Sequence, residues 1–306
     1  MLREAVLRER FFAIVNPAAG GGRSAKLAGP ALMRLRAAGL SVDVIASTGQ
    51  GHVMHLAQEA YQQGYRKFLA VGGDGTAHEI INGIFTENPS PGRFALGFLP
   101  LGTGNSFLRD FSANGEKTAM DALLAGRSRS CDVIRLTHAT GAVYSFNIIS
   151  IGFPADVGMT ANRYFKRLGS LGYLLGVFAR VASLTRRPFP LRCDDDKEWD
   201  EGRCLFYVFN NSKFTGGTMM IAPQADPTDG LIEMVRWGPI GRLGLIRMLP
   251  RLYDGTHITH PLASRRAVRR IEFRLPGPVN VLVDGEVLEL ELRSVEVIPG
   301  AMDCFV

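Results

Sequence analysis

From Phe11 to about Asp132, short apolar runs alternate with stretches whose apolar residues recur at helical spacing. The apolar runs predict strands at Phe11–Val15, Leu40–Ala46, Phe68–Val71 and Ala95–Phe98. The stretches between and after them predict helices at Ala25–Ala38, His52–Gln63, Thr76–Phe85 and Thr118–Ala125. Because strands and helices alternate, we expect a parallel sheet flanked by helices, with ligands bound beyond the carboxyl ends of the strands.

The pattern changes from Val133 onward, where strand-like runs are separated by Gly, Pro and Asp. These runs predict strands at Val143–Ile151, Cys204–Asn210, Leu231–Val235, Ile271–Leu275, Val279–Val283 and Val287–Leu292. One exception is a helical stretch from Arg163 to Arg186. The fold class is therefore predicted as α/β, with a parallel-sheet domain over residues 1–132 and a mainly antiparallel β domain over residues 133–293.

Length and composition agree with two domains, because 306 residues with 46% hydrophobic content can bury two moderate cores. The four cysteines lie far apart and form no CxxC pair, so neither a zinc site nor a disulfide framework is indicated. The charged segment Met1 to Arg10 lacks the apolar stretch of a secretory signal, and we expect the protein to be cytoplasmic.

The chain is moderately basic, with a formal charge of +6 and a pI of about 9.3. This excess favours an anionic partner such as a nucleotide or a phospholipid headgroup. Its basic residues are not interleaved with stacking aromatics, so no nucleic-acid partner is expected.

The turn Gly72-Gly73-Asp74-Gly75-Thr76 follows an apolar strand and opens a helix. Glycines let the backbone approach a ligand closely, and the free N–H groups of a helix start attract anionic oxygens. A capping box formed by Thr76 and Glu79 is the alternative for those two residues, but it does not explain the glycines and the carboxylate. The turn therefore predicts a phosphate-binding site of the kind used by lipid kinases, NAD kinases and phosphofructokinases.

Two other glycine-bearing turns follow predicted strands and would open on the same sheet edge. The first, after Val15, contains Asn16, Gly20 and Gly22, but it lacks the acidic residue of a dinucleotide fingerprint and the lysine of a Walker A motif. The other, after Leu99, carries Thr103 and Asn105, which can bond nucleotide oxygens or base edges. Three turns at one edge indicate a shared nucleotide cleft.

These motifs resemble, in order and spacing, the diacylglycerol kinase catalytic superfamily, which includes bacterial lipid kinases and sphingosine and ceramide kinases. The resemblance covers nearly the whole chain. It is carried by the Asn16 turn, Ser47–His52, Gly72–Thr76, Leu99–Asn105, Phe146-Asn147, Ile151–Phe153, Gly216-Gly217, Ala222–Ala225, Asp229–Leu231 and Asp284–Glu286.

The resemblance implies a C-terminal β-sandwich-like domain and a C-terminal tail, about residues 294–306, that returns to the first domain. It also implies ATP and Mg²⁺ as cofactors. Carried onto this chain, the ATP contacts would be Asn16, Thr48, Gly72, Gly73, Asp74, Gly75, Thr76, Thr103 and Asn105. The Mg²⁺ ligands would be Asp226, Asp229 and the carbonyl of Leu231, while Asp74 would position metal and phosphates.

Residue patterns alone favour simpler explanations for two of these segments. Residues 226–230 have the composition of an ordinary tight turn. Asp284-Gly285 is a strong hairpin signal between two predicted strands. The resemblance adds a catalytic role, with Glu286 as the general base and Asp284 as the second candidate.

The resemblance leads us to expect an ATP-dependent kinase that phosphorylates diacylglycerol or a related lipid alcohol while peripherally bound to a membrane; a homodimer stays open. The stretch from Arg163 to Arg180 is too short to span a bilayer, so a core helix and an interfacial helix both stay open. A basic cluster, Arg265, Arg266, Arg269 and Arg270, is expected to add attraction to anionic lipid. An NAD kinase and a non-catalytic regulatory module are the alternatives.

Overall fold

The computed structural model describes residues 6–7, 9–86, 88, 90–165, 176–177 and 179–306. The chain divides into two compact units. The N-terminal unit comprises Met1–Val133 together with Ile298–Val306, and the C-terminal unit comprises Ile134–Val297.

The N-terminal unit is built on a parallel sheet in the order β2-β1-β3-β4. Its strands are β1 (Phe11–Val15), β2 (Val42–Ala46), β3 (Lys67–Gly72) and β4 (Ala95–Pro100). Its helices are α1 (Arg23–Ala37), α2 (His52–Gln63), α3 (Asp74–Phe85) and α4 (Gly115–Ala125), with a short 3₁₀ helix at Phe107–Asp110. Near the end of the chain, Asp303 and Cys304 pair in parallel with β4.

The central strand β3 is buried on both faces, which its apolar sequence explains. Leu69 and Val71 point into a core shared with residues of α1 and α4. Phe68 faces the opposite side, where it packs against Phe94, which in turn contacts Phe85 of α3. The helices are therefore divided between the two faces, with α1 and α4 on one and α3, packed against α2, on the other.

The helix after the second glycine turn begins at Asp74, two residues earlier than predicted. Thr76 consequently lies inside the first turn and Gly73 occupies the N-cap position. The capping-box alternative for Thr76 and Glu79 is therefore wrong, and Glu79 instead accepts a hydrogen bond from the Met54 backbone at 3.4 Å.

The C-terminal unit contains a six-stranded antiparallel sheet in the order β15-β14-β11-β7-β17-β18. Its strands are β7 (Ile148–Gly152), β11 (Phe206–Asn210), β14 (Ile232–Trp237), β15 (Ala263–Val268), β17 (Val279–Val283) and β18 (Glu286–Leu290). A further layer pairs β9 (Leu191–Cys193), β16 (Arg270–Phe273) and the start of β19 (Leu292–Cys304), and β5 (Arg129–His138) pairs with β6 (Gly141–Ser145).

The remaining elements are short. They are β8 (Arg187–Pro188), β10 (Arg203–Cys204), β12 (Phe214–Thr215), β13 (Met219–Met220), the helices α5 (Phe153–Thr160) and α6 (Arg242–Met248), a π-helical turn at Ala161–Phe165, and 3₁₀ turns at Leu249–Leu252 and Thr256–Thr259.

Alternation along β7 and β11 sorts their side chains into two cores. Ile149 and Tyr207 belong to the core between the sheet layers, whereas Ile148 and Phe206 belong to a core on the opposite face. That second core also contains Val177 and Val181 from the expected helix over 163–186. Residues 176–177 and 179–182 are helical; residues 166–175 and 178 of that expected helix lie outside the described residues.

The predicted α/β fold class is confirmed, while one predicted strand is wrong. The run predicted as a single strand over Val143–Ile151 is two strands, β6 and β7, separated by Phe146 and Asn147. Among the described residues, no helix has the length and apolar character that crossing a membrane requires.

Candidate functional site

The three glycine turns of the N-terminal unit interlock through backbone contacts. The Gly102 N–H donates to the Gly72 carbonyl at 2.9 Å, and the Asn16 N–H donates to the Val71 carbonyl at 3.0 Å. A Cβ on Gly102 would lie 2.4 Å from the Gly73 Cα, and one on Gly20 would lie 2.3 Å from the Leu101 carbonyl oxygen. These glycines are thus required for packing between the turns, a role that their sequence spacing did not indicate.

Gly75 differs from its neighbours because it faces open space. It is exposed in the first turn of α3, and no atom lies within 4 Å of where its Cβ would be, apart from its own neighbours and helix backbone. Beside it, the buried Thr76 hydroxyl has no hydrogen-bond partner among the described residues. An uncovered helix start next to a buried, unsatisfied hydroxyl is an arrangement that a phosphate group fits.

Asp74 joins the second and third turns. Its Oδ2 accepts a 2.7 Å hydrogen bond from the Ser106 N–H. Asn105 has a left-handed backbone, with φ of 49°, and its amide donates to the carbonyls of Pro100 and Gly102 at 3.0 and 3.2 Å. The Asn105 Oδ1 is buried and has no partner in the part of the chain that is described.

Of the other predicted ATP contacts, Asn16 and Thr103 belong to these turns, and Thr48 lies in the loop after β2. Asn16 Oδ1 accepts from the Ala18 N–H at 3.2 Å, so it also stabilises its own turn. Thr48 contacts His52, whose Nδ1 accepts from the Thr48 N–H at 3.0 Å and lies 2.9 Å from the Thr48 hydroxyl. Thr103 is exposed. The structure therefore brings residues 72–76, 102 and 105 into contact, and it shows no contact of Thr48 with them.

In the C-terminal unit, Asp284 lies in the turn between β17 and β18. Its carboxylate accepts hydrogen bonds from the Ser145 hydroxyl at 2.6 Å and from the backbone N–H groups of Phe146, Asn147 and Ile148 at 3.2, 3.2 and 2.9 Å. Asp284 is buried, with 9% of its surface exposed. These four donors explain the break between β6 and β7 and occupy the carboxylate of Asp284.

Glu286 follows two residues later as the first residue of β18, where it pairs with Val283. It is partly exposed, and its carboxylate makes no hydrogen bond or ion pair with the described residues. The Asp284 backbone has φ of 47° and Gly285 has φ of 98°, the left-handed pair of a tight hairpin. The hairpin therefore presents an unpartnered carboxylate next to an anchored one.

The predicted Mg²⁺ residues lie on one tight turn of the C-terminal unit. Asp226 Oδ1 accepts from the N–H and hydroxyl of Thr228 at 3.0 and 2.7 Å, and Asp229 Oδ1 accepts from the Leu231 N–H at 2.9 Å. Partial burial, with the charges of Asp226 and Glu233 nearby, raises the pKa of Asp229 above its ordinary value.

The turn thus has the bonding of an ordinary turn, and within the described ranges no group of three or more acidic, histidine or cysteine side chains is arranged to hold a metal. Two carboxylates and a carbonyl are nevertheless the hard oxygen donors that Mg²⁺ prefers. A cation would also offset the burial and the neighbouring negative charges that raise the pKa of Asp229. The donor set therefore fits Mg²⁺ chemically.

The expected basic cluster at 265–270 is largely neutralised. Arg265 pairs with Glu233, Arg266 with Asp196, and Arg270 with Glu272 and Glu296. The acidic stretch 194–201 supplies one of these partners, Asp196. Neither the acidic stretch nor the basic cluster indicates this pairing when its sequence is considered alone. Three of the four arginines therefore have acidic partners, and the attraction of this cluster to anionic lipid stays a prediction.

Sequence reasoning missed Ser145 and Ser106, which donate to the two candidate carboxylates Asp284 and Asp74. A serine donor to a distant carboxylate leaves no local pattern. The adjacent Phe146-Asn147 motif was a usable signal for the first of them.

Together, the parallel-sheet unit with its glycine turns and the β-sandwich unit with its carboxylate hairpin define a two-unit α/β protein of the kinase type. Residues 10–136 match the family model described as the diacylglycerol kinase catalytic domain, and residues 147–306 match the YegS C-terminal NAD kinase beta sandwich-like domain. The chain belongs to this diacylglycerol kinase family.

Individual relatives agree along almost the whole length. The chain is 28% identical to a diacylglycerol kinase of Mycobacterium tuberculosis over 293 residues, covering 95% of this chain and 93% of the relative. It is 26% identical to a diacylglycerol kinase of Bacillus subtilis over 276 residues, covering 89% and 88%. A crystal structure of a diacylglycerol kinase from Bacillus anthracis shares the fold, with a TM-score of 0.69 at 19% identity over 97% and 96% of the two chains.

Proposed function

We propose that this protein is an ATP-dependent lipid kinase that transfers a phosphoryl group to the hydroxyl of diacylglycerol or a related lipid alcohol. The observation that carries the proposal is the unpartnered Glu286 carboxylate on a hairpin anchored by Asp284, in a chain of the diacylglycerol kinase family. In this proposal residues 1–132 with the C-terminal tail, about residues 294–306, bind ATP and residues 133–293 bind the lipid.

The nucleotide is held by the glycine turns in this proposal. The exposed start of α3 at Gly75 receives the phosphates, and the Thr76 hydroxyl gains the partner it lacks. Asn16, Thr48, Thr103 and Asn105 contact the rest of the nucleotide, and Gly72 and Gly73 shape the turn. When bound, ATP supplies the phosphoryl group and Mg²⁺ neutralises charge during its transfer.

Glu286 acts as the general base, taking the proton from the attacking lipid hydroxyl. A base must have a carboxylate oxygen free to reach that proton, and both oxygens of Glu286 are free of hydrogen bonds with the described residues. Asp284 is the weaker candidate because four donors already surround its carboxylate. We assign it the role of fixing the hairpin, since a carboxylate held within a fraction of an ångström is what proton transfer requires.

The acidic residues outside the hairpin position the charged groups. Asp74, tied to Ser106, holds the second and third turns in register and orients metal and phosphates. Asp226, Asp229 and the carbonyl of Leu231 hold a structural Mg²⁺. Because the acceptor is a membrane lipid, we place the enzyme at the cytoplasmic surface of a membrane as a peripheral protein.

The test is a phosphorylation assay with the full chain and labelled ATP. Dioleoylglycerol in mixed micelles, sphingosine and NAD are offered separately, the last because the C-terminal family model is named after NAD kinase. We expect label in diacylglycerol with the parent protein and with Glu289→Gln, an exposed glutamate on the same strand, but not with Glu286→Gln. Label in NAD alone, or in none of the three acceptors, would refute the proposal.

A further inference from the structure

The N-terminal unit carries an open groove of about 710 Å³ on the face of the sheet covered by α1 and α4. Its floor is apolar and is formed by Leu99, Leu101, Leu108 and Met120, all buried. One end is closed by the polar backbone of residues 102–105, and another by the start of α4. The groove is thus apolar at its base and polar at its ends.

The rim of the groove is strongly basic. Arg23, Arg34, Arg109 and Lys117 line it, and Asp121 is the carboxylate among the lining residues that the structure describes. None of these four cations makes a side-chain hydrogen bond or ion pair with the described residues, in contrast to Arg265, whose charge is neutralised by Glu233. Four cations that have no anionic partner among the described side chains favour an anionic ligand, because like charges held together repel unless an anion separates them.

The start of α4 adds to the positive charge around the groove. Asn114, which occupies the N-cap position of α4, makes no side-chain capping bond, and Asn114, Gly115 and Lys117 line the groove. A phosphate that reached both the start of α4 and the guanidinium groups would receive charge-assisted hydrogen bonds from both. The groove therefore combines basic side chains and a helix start with an apolar floor.

The groove is separate from the turn proposed to bind ATP phosphates. None of Asn16, Thr48 or residues 72–76 lines it, whereas the turn at 99–105, with the proposed nucleotide contacts Thr103 and Asn105, lines both. The helix start at Gly75 belongs to α3, which packs with Phe85 on the opposite face of the sheet from the core shared by α1 and α4. An occupant of the groove would therefore leave the Gly75 helix start free.

We propose that this groove binds the phosphomonoester group of an amphiphile, with the phosphate on the basic rim and the apolar body on the floor. Under the proposed function this is the chemical class of the lipid product, so the groove would be a second product-binding site through which accumulated product regulates the enzyme. The choice of ligand rests on the proposed function; the binding itself does not require turnover.

Binding is tested by isothermal titration of the full chain with dioctanoyl phosphatidate kept below its micelle concentration. Dioctanoylglycerol and inorganic phosphate are the comparison ligands, since they carry the body or the anion alone. We expect both to bind at least about tenfold more weakly than phosphatidate, and binding to weaken as NaCl is raised. Equal affinity for inorganic phosphate, or no effect of salt, would overturn the proposed amphiphile site.

Location is tested with the double variant Arg34→Gln/Arg109→Gln, which removes two rim charges outside the proposed catalytic machinery. Its control, Lys26→Gln/Arg127→Gln, removes two exposed charges of the same unit that do not line the groove. We expect the first to raise the phosphatidate Kd about tenfold or more and the control to change it less than twofold. Equal effects of the two double variants would place the phosphatidate elsewhere.

The variant Asp121→Asn should lower the phosphatidate Kd, whereas the arginine variants should raise it. Removing this rim carboxylate takes away a charge that repels phosphate, while general damage to the fold would weaken binding. Unchanged or weakened binding in a variant with parental thermal stability would count against the groove. If the protein phosphorylates diacylglycerol but fails these binding tests, the proposed function stands and the second site is refuted. If it passes the binding tests but has no kinase activity, the binding site stands and the proposed function is refuted.

Discussion

The Ser145 hydroxyl donates a 2.6 Å hydrogen bond to the Asp284 carboxylate, and this contact joins the end of β6 to the turn before β18. Three backbone amides that follow Ser145 point at the same carboxylate. The carboxylate thus holds the β6–β7 break and the hairpin in one arrangement. Two acidic residues only two positions apart therefore differ in surroundings, since Asp284 is enclosed by donors and Glu286 has no partner among the described residues.

Replacing Glu286 by glutamine should remove the general base and leave the fold intact. We expect kcat for lipid phosphorylation to fall by about 10²- to 10⁴-fold, roughly 3 to 5 kcal/mol in the barrier. ATP affinity should stay nearly constant, because the residue acts on the acceptor. Steady-state kinetics with diacylglycerol and equilibrium ATP binding check both statements. The assignment of Glu286 as the base is wrong if Glu286→Gln keeps the parental kcat. It is also wrong if the control Glu289→Gln loses as much activity as Glu286→Gln.

Replacing Asp284 by asparagine should act on stability first. The asparagine amide would present N–H groups to backbone donors that now meet a carboxylate, and an unsatisfied buried donor costs about 1 to 3 kcal/mol. We expect a lower Tm and a reduced kcat, because the hairpin that carries Glu286 loses the contacts that fix it. Ser145→Ala should shift Tm in the same direction by less. If Asp284→Asn keeps the parental Tm but loses as much activity as Glu286→Gln, Asp284 becomes the candidate base.

Gly75→Val should weaken ATP binding without unfolding the protein. The side chain would enter open space in front of the α3 start, and valine is no worse than glycine in a helix, so thermal stability should be kept. Ala37→Val, at an exposed position in the last turn of α1, is the control. Gly73 is unsuitable, because its Cβ would lie 3.1 Å from the Gly102 Cα. If Gly75→Val binds ATP with the parental affinity, the assignment of the ATP phosphates to this turn is wrong.

Asp229 should make thermal stability depend on both Mg²⁺ and pH. Because the folded pKa of this carboxyl is raised, its contribution to stability is present below the unfolded pKa of about 3.9 and is lost as pH rises through the folded pKa. Asp229→Asn should therefore raise Tm at pH 7 in metal-free buffer, and the difference should vanish in acid.

Adding Mg²⁺ should reverse that order, since a bound cation stabilises only the parent carboxylate. Thermal unfolding with and without MgCl₂ checks the prediction, with NaCl of equal ionic strength as the control. If Mg²⁺ shifts the parent and Asp229→Asn equally, Asp226 and Asp229 are turn formers without a metal.

The elements that the sequence predicts best are those set by local periodicity. The strands Phe11–Val15 and Val279–Val283 and the helix His52–Gln63 have the predicted bounds, because an apolar alternation or a helical stripe defines each of them. The break at Phe146-Asn147 was not predictable, since its cause is a carboxylate 138 positions away. The pairing of the arginines at 265–270 was not predictable for the same reason, because Asp196 and Glu296 meet them only after folding.

In the candidate site, too, features set by local sequence could be predicted and features set by distant residues could not. The glycine turns and the acidic pairs stand out in the sequence because tight turns and phosphate contacts restrict residue type locally. The different surroundings of these residues could not be predicted, since Gly73 packs against Gly102 and Asp284 accepts a hydrogen bond from Ser145. The basic groove combines side chains from α1, the 3₁₀ helix and α4, and charges so widely spaced form no recognisable motif.

The last strand also constrains how the protein is made. Residues 298–306 complete the N-terminal unit, where Phe305 packs against Phe11 at 5.3 Å between ring centroids and Cys304 pairs with β4. During synthesis from the amino terminus, the first unit is therefore completed only by residues translated almost 300 positions after its first strand. Its sheet edge beside β4 stays uncovered through that interval, and deletion of residues 298–306 would damage the unit that was translated first.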